Sequence, residues 1–365
     1  MIQTVLLFIL GLILICLGGD RLVDAAVAIA KKLGIPEIVV GATIVSLGTT
    51  LPEILVSTTA AFDGSAAIAA GNAFGSIICN TALIAGLTQT IRPSKKIEAA
   101  AIRWRGIFFF AVLIGMNLYA YLTQKFNRPA GIVLILLFAV YAYLNIKKAG
   151  SEGEESENGE DGKKEGGPIW KHLLVLVVCA VFLYFGANLL VDNGILIAEA
   201  LGVPERVIAV TFIALGTSLP ELAVSTFAAV KHSNAIALGN VVGSNIFNLL
   251  MVIGITALFK DMLVKKSILK REMPLLLIIS VLLIFLAGDI LWFGGIIKKN
   301  NIFLFENGST MVGNVNRIDG ILLLVLFVGF IAWTVSYALK ERTEEDGKRM
   351  DQPVQTVCKS LQHGL

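Results

Sequence analysis

Apolar residues run along most of this 365-residue chain in blocks long enough to cross a bilayer, and polar residues break the blocks at fixed places. A membrane-spanning helix needs about 20 mostly apolar residues. Ten blocks qualify, at residues 3–30, 37–61, 66–90, 105–123, 129–146, 170–199, 205–230, 235–259, 273–296 and 318–339. Six are plain runs of Leu, Ile, Val and Phe. The second, third, seventh and eighth carry Gly, Pro, Ser, Thr and Asn in their interiors. The pattern predicts an all-α membrane protein of ten transmembrane helices. No small-residue cleavage site follows the apolar start at Met1, so it reads as the first span rather than a removed leader.

The interrupted blocks are one text written twice. PEIVVGATIVSLGTTLPEILVSTTAA and GNAFGSIICN return as PERVIAVTFIALGTSLPELAVSTFAA and GNVVGSNIFN, 168 residues later without a gap, and 34 of the 69 positions from Gly18 to Gly86 are identical in the second copy. The copies start five spans apart. That odd number inserts them in opposite directions, as two inverted-topology repeats of five helices each. The boundaries are 1–146 for the first repeat, 147–168 for an acidic flexible linker, 169–339 for the second repeat and 340–365 for a polar C-terminal tail. The linker text SEGEESENGEDGKKEGG reads as a solvated tether. Residues 298–317 form a polar loop, where Asn307-Gly308-Ser309 matches a glycosylation sequon of a kind that also arises by chance. The basic loop RPSKKIEAAAIRWR (92–105) places itself in the cytoplasm, with the amino terminus outside and the linker inside. The loop KDMLVKKSILKRE (260–272) is equally basic and argues the other way; the earlier segments are given precedence.

Composition agrees with the pattern. The hydrophobic fraction is 56% and the charged fraction 16%, against about a quarter charged in soluble domains. The net charge of +3 is spread over loops and implies no nucleic-acid partner. Cys16, Cys79, Cys179 and Cys358 show no CxxC spacing, and His172, His232 and His363 no metal-site spacing.

The chemistry lies in the interrupted blocks. Thr43, Ser46, Thr50, Glu53 and Ser57 are spaced to share one helix face. Thr211, Ala214, Ser218, Glu221 and Ser225 repeat the face, and Asn72, Ser76, Asn80 and Asn240, Ser244, Asn248 form two more stripes. Ser and Thr in spanning helices ordinarily bond their own backbone or glue helices together. Glue does not need a glutamate at its centre, nor the same glutamate twice. A carboxylate in the membrane interior is costly and marks a functional site. No Lys or Arg lies within about ten residues of Glu53, and Lys231 is the nearest beyond Glu221. The expected counter-charge is a mobile cation, a proton, or both. Pro52 and Pro220 each lack an amide N–H, which frees the carbonyls of Gly48 and Gly216. Glycine there, and at Gly71, Gly75, Gly239 and Gly243, suits close helix approach. Carboxylate, hydroxyl, amide and carbonyl oxygen without sulfur or imidazole is the ligand chemistry of hard cations, Ca2+ or Na+. Two carboxylates balance one Ca2+ or hold several Na+, and mutual exclusion at a shared site is what an antiporter needs. Asp24 and Asp192 match across the repeats and read as caps or interfacial partners rather than part of an ion path. Glu37 and Glu205 follow Pro36 and Pro204 as ordinary helix-start residues.

Proton-coupled or potassium-dependent calcium exchange and a passive cation channel remain alternatives on the same residues. No HExxH or nucleophile elbow supports an enzyme, and no cofactor motif is present. The two repeats can complete a site within one chain, so a monomer is expected.

The paired signatures GTTLPE…GNAFGSIICN and GTSLPE…GNVVGSNIFN resemble the alpha repeats of the calcium/cation antiporter superfamily, and within it the prokaryotic sodium/calcium exchangers. The resemblance covers the ten spans. It implies a sodium/calcium exchanger-like fold with the second, third, seventh and eighth helices around the ions. It also implies exchange of Ca2+ for Na+ in a cell membrane. By motif position, Thr49, Thr50, Glu53, Ser76 and Asn80 would bind ions from one repeat, and Thr217, Ser218, Glu221, Ser244 and Asn248 from the other. Exchangers of this kind tend to carry aspartate where Asn248 stands. That departure removes one acid and bears on how many sodium ions are exchanged. The TSLPE form favours sodium over protons as the coupling ion.

Overall fold

The computed structural model describes residues 1–63, 66–154, 168–202, 214–264, 268–286, 303–306, 310–315 and 317–336. Eleven helices carry the architecture: α1 (Ile2–Leu33), α2 (Glu37–Thr49), α3 (Leu51–Phe62), α4 (Ile68–Ile91), α5 (Trp104–Thr123), α6 (Arg128–Ala149), α7 (Ile169–Ala200), α8 (Leu219–Val230), α9 (Asn234–Phe259), α10 (Met273–Leu286) and α11 (Arg317–Ser336). Among the described residues seven helices are long and apolar enough to cross a membrane, or eight with α2 and α3 counted as one broken span. The expected seventh and ninth spans are described as α8 and α10, of 12 and 14 residues. A short helical stretch, Ala214–Gly216, and the turn at 217–218 precede α8. Pro204 and residues 205–213, among them Glu205 and Thr211, and residues 287–296 lie outside the described residues. So do most of the linker, the sequon Asn307-Gly308-Ser309 and the tail.

Local signals set the joints. Gly34 closes α1 in the left-handed region at φ 63°, its N–H bonded to Ala30 O. Pro36 then caps α2, with Glu37 in the first turn. Pro168 opens α7 in the same way.

Helices α4 and α9 form the centre, each with 78% of its apolar window buried, against 22% for α1 and 28% for α7. Leu, Ile, Val and Phe side chains on α1, α5, α6, α7 and α11 point outward as a belt for lipid. The repeat-related helices α1 and α7 run antiparallel along each other, Gly11 against Gly186 and Gly18 against Cys179. Gly254 of α9 meets Gly131 of α6, and Gly86 of α4 meets Gly320 of α11. In each contact a methyl group would strike backbone or a packed side chain, which is how small residues let membrane helices touch.

Three departures from the expected all-helical picture occur in loops and at one helix start. Ser94–Glu98 (β1), Phe303–Glu306 (β4) and Thr310–Val315 (β5) form an antiparallel sheet in the order β1-β5-β4. Lys125–Phe126 (β2) pairs with Met262–Leu263 (β3), alongside an exposed Lys125–Asp261 ion pair of 2.9 Å. Loops that stand outside the bilayer can pair their backbones this way even where their composition is polar. Arg105, counted above among the loop charges, is fully buried in α5, bonded through Nε to Asn145 Oδ1 (3.1 Å) and stacked over Trp104.

Candidate functional site

Glu53 begins α3 and Glu221 begins α8, each one residue past its proline. The chain bends by 42° between α2 and α3, at Thr50. A proline at the second helical position has no N–H to satisfy, so helices start there without loss. The proline that frees a carbonyl thereby restarts the helix and aims the next carboxylate inward. Residues Gly41–Val45, Cys79–Ile84 and Asn248–Val252 are single π-helical turns. Such widened turns gather at functional sites. Two of them hold Asn80 and Asn248 at repeat-related places, a feature with no visible sign in the sequence pattern.

The two carboxylates are buried, with 0% and 1% exposure, and the charge of Glu221 bears on Glu53. Ser76 Oγ reaches Glu53 Oε1 (3.5 Å), and Thr50 Oγ1 donates to Glu221 Oε1 (3.0 Å). The second oxygen of each, Oε2, has no hydrogen-bond partner; nor do Asn80 Oδ1 and Nδ2, Asn248 Oδ1 and Nδ2, or Ser218 Oγ. Buried polar atoms are almost always paired. These seven atoms come from helices α3, α4, α8 and α9 and the turn before α8; Thr58, Thr226, Asn234, Asn245, Thr256 and Ser280 each carry a further unpaired side-chain atom, but none of those is on a carboxylate.

The rest of the stripes is spent on a crossed brace. Thr49 Oγ1 donates to Asn240 Oδ1 (3.2 Å), and Asn240 Nδ2 donates to Ser225 Oγ (2.9 Å). The twin set, 168 residues displaced, repeats this: Thr217 Oγ1 to Asn72 Oδ1 (3.0 Å), Asn72 Nδ2 to Ser57 Oγ (2.9 Å). Thr49 also meets Ser244, and Thr217 meets Ser76, both at 3.4 Å. Each link from threonine to asparagine joins one repeat to the other. A hydroxyl that donates its proton keeps two lone pairs, so Thr49, Thr50, Thr217, Ser76 and Ser244 remain able to face a cation. Asn72 and Asn240 were visible in the stripes but not as the brace that holds the site.

Some sequence-based expectations need correction. Thr43 folds back on Val39 O (2.6 Å), and Ser46 is consumed by Gly41 O (2.8 Å) and Asn240 O (3.1 Å). For these two the ordinary backbone-bonding role of membrane hydroxyls prevails. Among the described residues, the nearest neighbours of a methyl group at Gly48 would be the Ala180 and Leu176 side chains at ordinary contact and no backbone, while Gly216 faces the Val191 side chain. The tight backbone contact lies between α2 and α9: a methyl on Gly239 would stand 2.5 Å from Ile38 O, and one on Gly243 2.6 Å from Ala42 Cα. At Gly71 and Gly75, nothing among the described residues lies within 4 Å of that position.

Neither glutamate has a basic partner among the described residues. Lys231 is held instead by Asp20 (2.7 Å) and Asp24 (2.6 Å), so Asp24 is an interfacial ion partner. No group of three His, Cys, Asp or Glu side chains converges among the described residues. The donor set is therefore two carboxylates with neutral oxygens, suited to a hard cation and not to zinc or copper.

The chain matches the family model described as sodium/calcium exchanger protein over residues 3–147 and 171–336. It is 34% identical over 328 residues to an uncharacterised membrane protein of Methanocaldococcus jannaschii, covering 89% of this chain and 96% of that one. It is 30% identical over 362 residues to the sodium/calcium exchanger MaX1 of Methanosarcina acetivorans, covering 89% and 97%. A solved structure of the sodium-calcium exchanger NCX_Mj superposes with a TM-score of 0.72 at 31% identity, covering 91% of this chain and 98% of that one.

Proposed function

The chain belongs to the sodium/calcium exchanger protein family, and on that premise we propose that it exchanges Ca2+ for Na+ across a cell membrane at one site between its two inverted repeats. The carrying observation is the set of unpaired buried atoms, Oε2 of Glu53 and Glu221 with the side-chain amides of Asn80 and Asn248 and Ser218 Oγ. Leaving two ionised carboxylates buried without a counter-charge costs several kcal/mol each. One Ca2+ or more than one Na+ removes that cost, and both cannot sit there together.

Each candidate residue then has a role. Glu53 and Glu221 supply the charge. Asn80 and Asn248 offer amide oxygens, and Ser218, Thr49, Thr50, Thr217, Ser76 and Ser244 offer hydroxyl lone pairs. The carbonyls of Gly48 and Gly216, denied a donor by Pro52 and Pro220, complete the oxygen set. Coupling follows from the charge. An empty site carrying two negative charges resists being closed off from water, whereas a neutralised one can close and open on the other side. Every crossing therefore carries an ion.

Residues 1–146 and 169–339 act as the two repeats, joined by the acidic linker, and one chain supplies the whole ligand set without a second copy. The amino terminus lies outside and the linker in the cytoplasm. Uptake of radioactive Ca2+ into sodium-loaded proteoliposomes tests the proposal. Uptake is expected under an outward sodium gradient and not under an outward proton or potassium gradient alone. Uptake driven by a pH gradient without sodium replaces this reading with proton exchange; ohmic single-channel current replaces it with a channel.

A further inference from the structure

A cavity of about 430 Å³ lies where α1, α7 and the end of α8 meet, lined by Arg21, Asp24, His172 and Lys231 above Val27 and Val175. It stands apart from the ion site. The contacts of Gly11 with Gly186 and Gly18 with Cys179 set an antiparallel register, which brings His172 level with the turn after Asp24. Exposed Trp170 stands just before His172. Tryptophan at a span end sits at the headgroup level of a bilayer, so the cavity opens there, on the side from which the linker enters α7.

The lining is mixed in charge. Lys231 Nζ takes Oδ1 of both Asp20 (2.7 Å) and Asp24 (2.6 Å), leaving Oδ2 of each carboxylate to accept further bonds. Arg21 and His172 have no hydrogen bond or ion pair among the described residues. An anion alone meets Asp24 here, and a cation alone meets Arg21 and Lys231. A ligand carrying both signs satisfies the two groups at once. Among its apolar lining residues, Val175 is 42% exposed on the outward face of α7.

The duplication supplies an independent argument. Asp24 recurs as Asp192, but the residues 168 positions away from Arg21, His172 and Lys231 are Leu189, Thr4 and Asp63. The ion site is repeated almost residue for residue, whereas the basic groups of this cavity have no counterpart at the twin positions.

We propose that this cavity binds the headgroup of an aminophospholipid, its phosphate against Arg21 and His172 and its primary ammonium against the free oxygen of Asp24. Arginine suits phosphate through its forked donors. A primary ammonium can donate hydrogen bonds to that carboxylate, a quaternary one none. The site therefore prefers phosphatidylethanolamine to phosphatidylcholine, for want of donors, and to phosphatidylglycerol, for want of a positive charge.

The test uses the full chain, purified and delipidated in detergent, with thermal unfolding followed in mixed micelles containing each of the three lipids at equal mole fraction. Phosphatidylethanolamine is expected to raise the midpoint by a few degrees over the other two, since a ligand of the folded state stabilises it. The double substitution Arg21→Ala with His172→Ala is expected to match the unsubstituted protein in phosphatidylcholine and to lose the ethanolamine increment. Arg21→Lys with His172 intact keeps part of it. Should the double variant fail to survive extraction, Asp24→Asn decides the matter by removing the negative charge that faces the ammonium and lowering the increment. Equal midpoints in all three lipids, a phosphatidylglycerol increment as large as that of phosphatidylethanolamine, or an increment that survives these substitutions overturns the assignment. None of these readouts depends on transport, so ion exchange can fail its own test and leave this one standing.

Discussion

Replacing Glu53 by Gln keeps the shape of the side chain and removes one unit of negative charge. The amide oxygen can still accept from Ser76, now 3.5 Å from Oε1, so folding is little disturbed. What changes is the match to a divalent ion, because two carboxylates balance one Ca2+ and a single one does not. Removing one partner of a buried ionic contact costs about 3–5 kcal/mol, and each 1.4 kcal/mol is a factor of ten in affinity. Apparent Ca2+ affinity should therefore fall by roughly two to four powers of ten. Glu221→Gln should do the same, since Glu221 occupies the twin place with the same burial. The measurement is initial Ca2+ uptake against external Ca2+ in sodium-loaded proteoliposomes, with the thermal midpoint of each variant as a folding control. Well-folded variants whose half-saturation moves less than about threefold would refute the two-carboxylate site.

Asn240→Ala removes the acceptor of Thr49 and the donor to Ser225, and Asn72→Ala removes the acceptor of Thr217 and the donor to Ser57. At about 1–3 kcal/mol per unsatisfied buried group, both variants should lose stability and uptake to a similar extent, and a marked loss in one alone would show that the brace is not shared. Gly239→Ala sets a methyl 2.5 Å from Ile38 O and 3.0 Å from Ala42 N. Backbone cannot step aside, so a cost of about 1–3 kcal/mol should lower the thermal midpoint, while Gly115→Ala, with nothing within 4 Å, should leave it unchanged or higher. Lys231→Met should cost about 1 kcal/mol or less, since the side chains are 26% to 54% exposed. Burial lowers the affinity of Lys231 for its proton, but its bonds to Asp20 and Asp24 outweigh this and the net shift is upward. That linked stability is complete below the unfolded lysine value and is lost only as pH rises through the higher folded one. The midpoint difference between Lys231→Met and the unsubstituted protein should therefore be flat from about pH 6 to about pH 9.

The all-helical membrane class, the inverted duplication, both glutamates and the polar stripes could be read from the chain, because each rests on local periodicity and on a duplication at a constant offset of 168 residues. What escaped is non-local. Thr49 and Asn240 stand 191 residues apart and Thr217 and Asn72 145 apart, and no spacing rule shows which amide meets which hydroxyl. The stripe argument treated α2 and α3 as one straight helix, so it admitted Thr43 and Ser46. A π-helical turn and the bend at Thr50 change the face presented to the site. The glycines of GTTLP and GTSLP were given the close-approach role that Gly41, Gly239 and Gly243 carry, since sequence shows where a side chain is missing but not what stands opposite.

Every threonine-to-asparagine tie runs from one half of the molecule to the other, so no half finishes its own pocket. Either half expressed alone would therefore need a second copy, inserted in the opposite direction, to complete the brace.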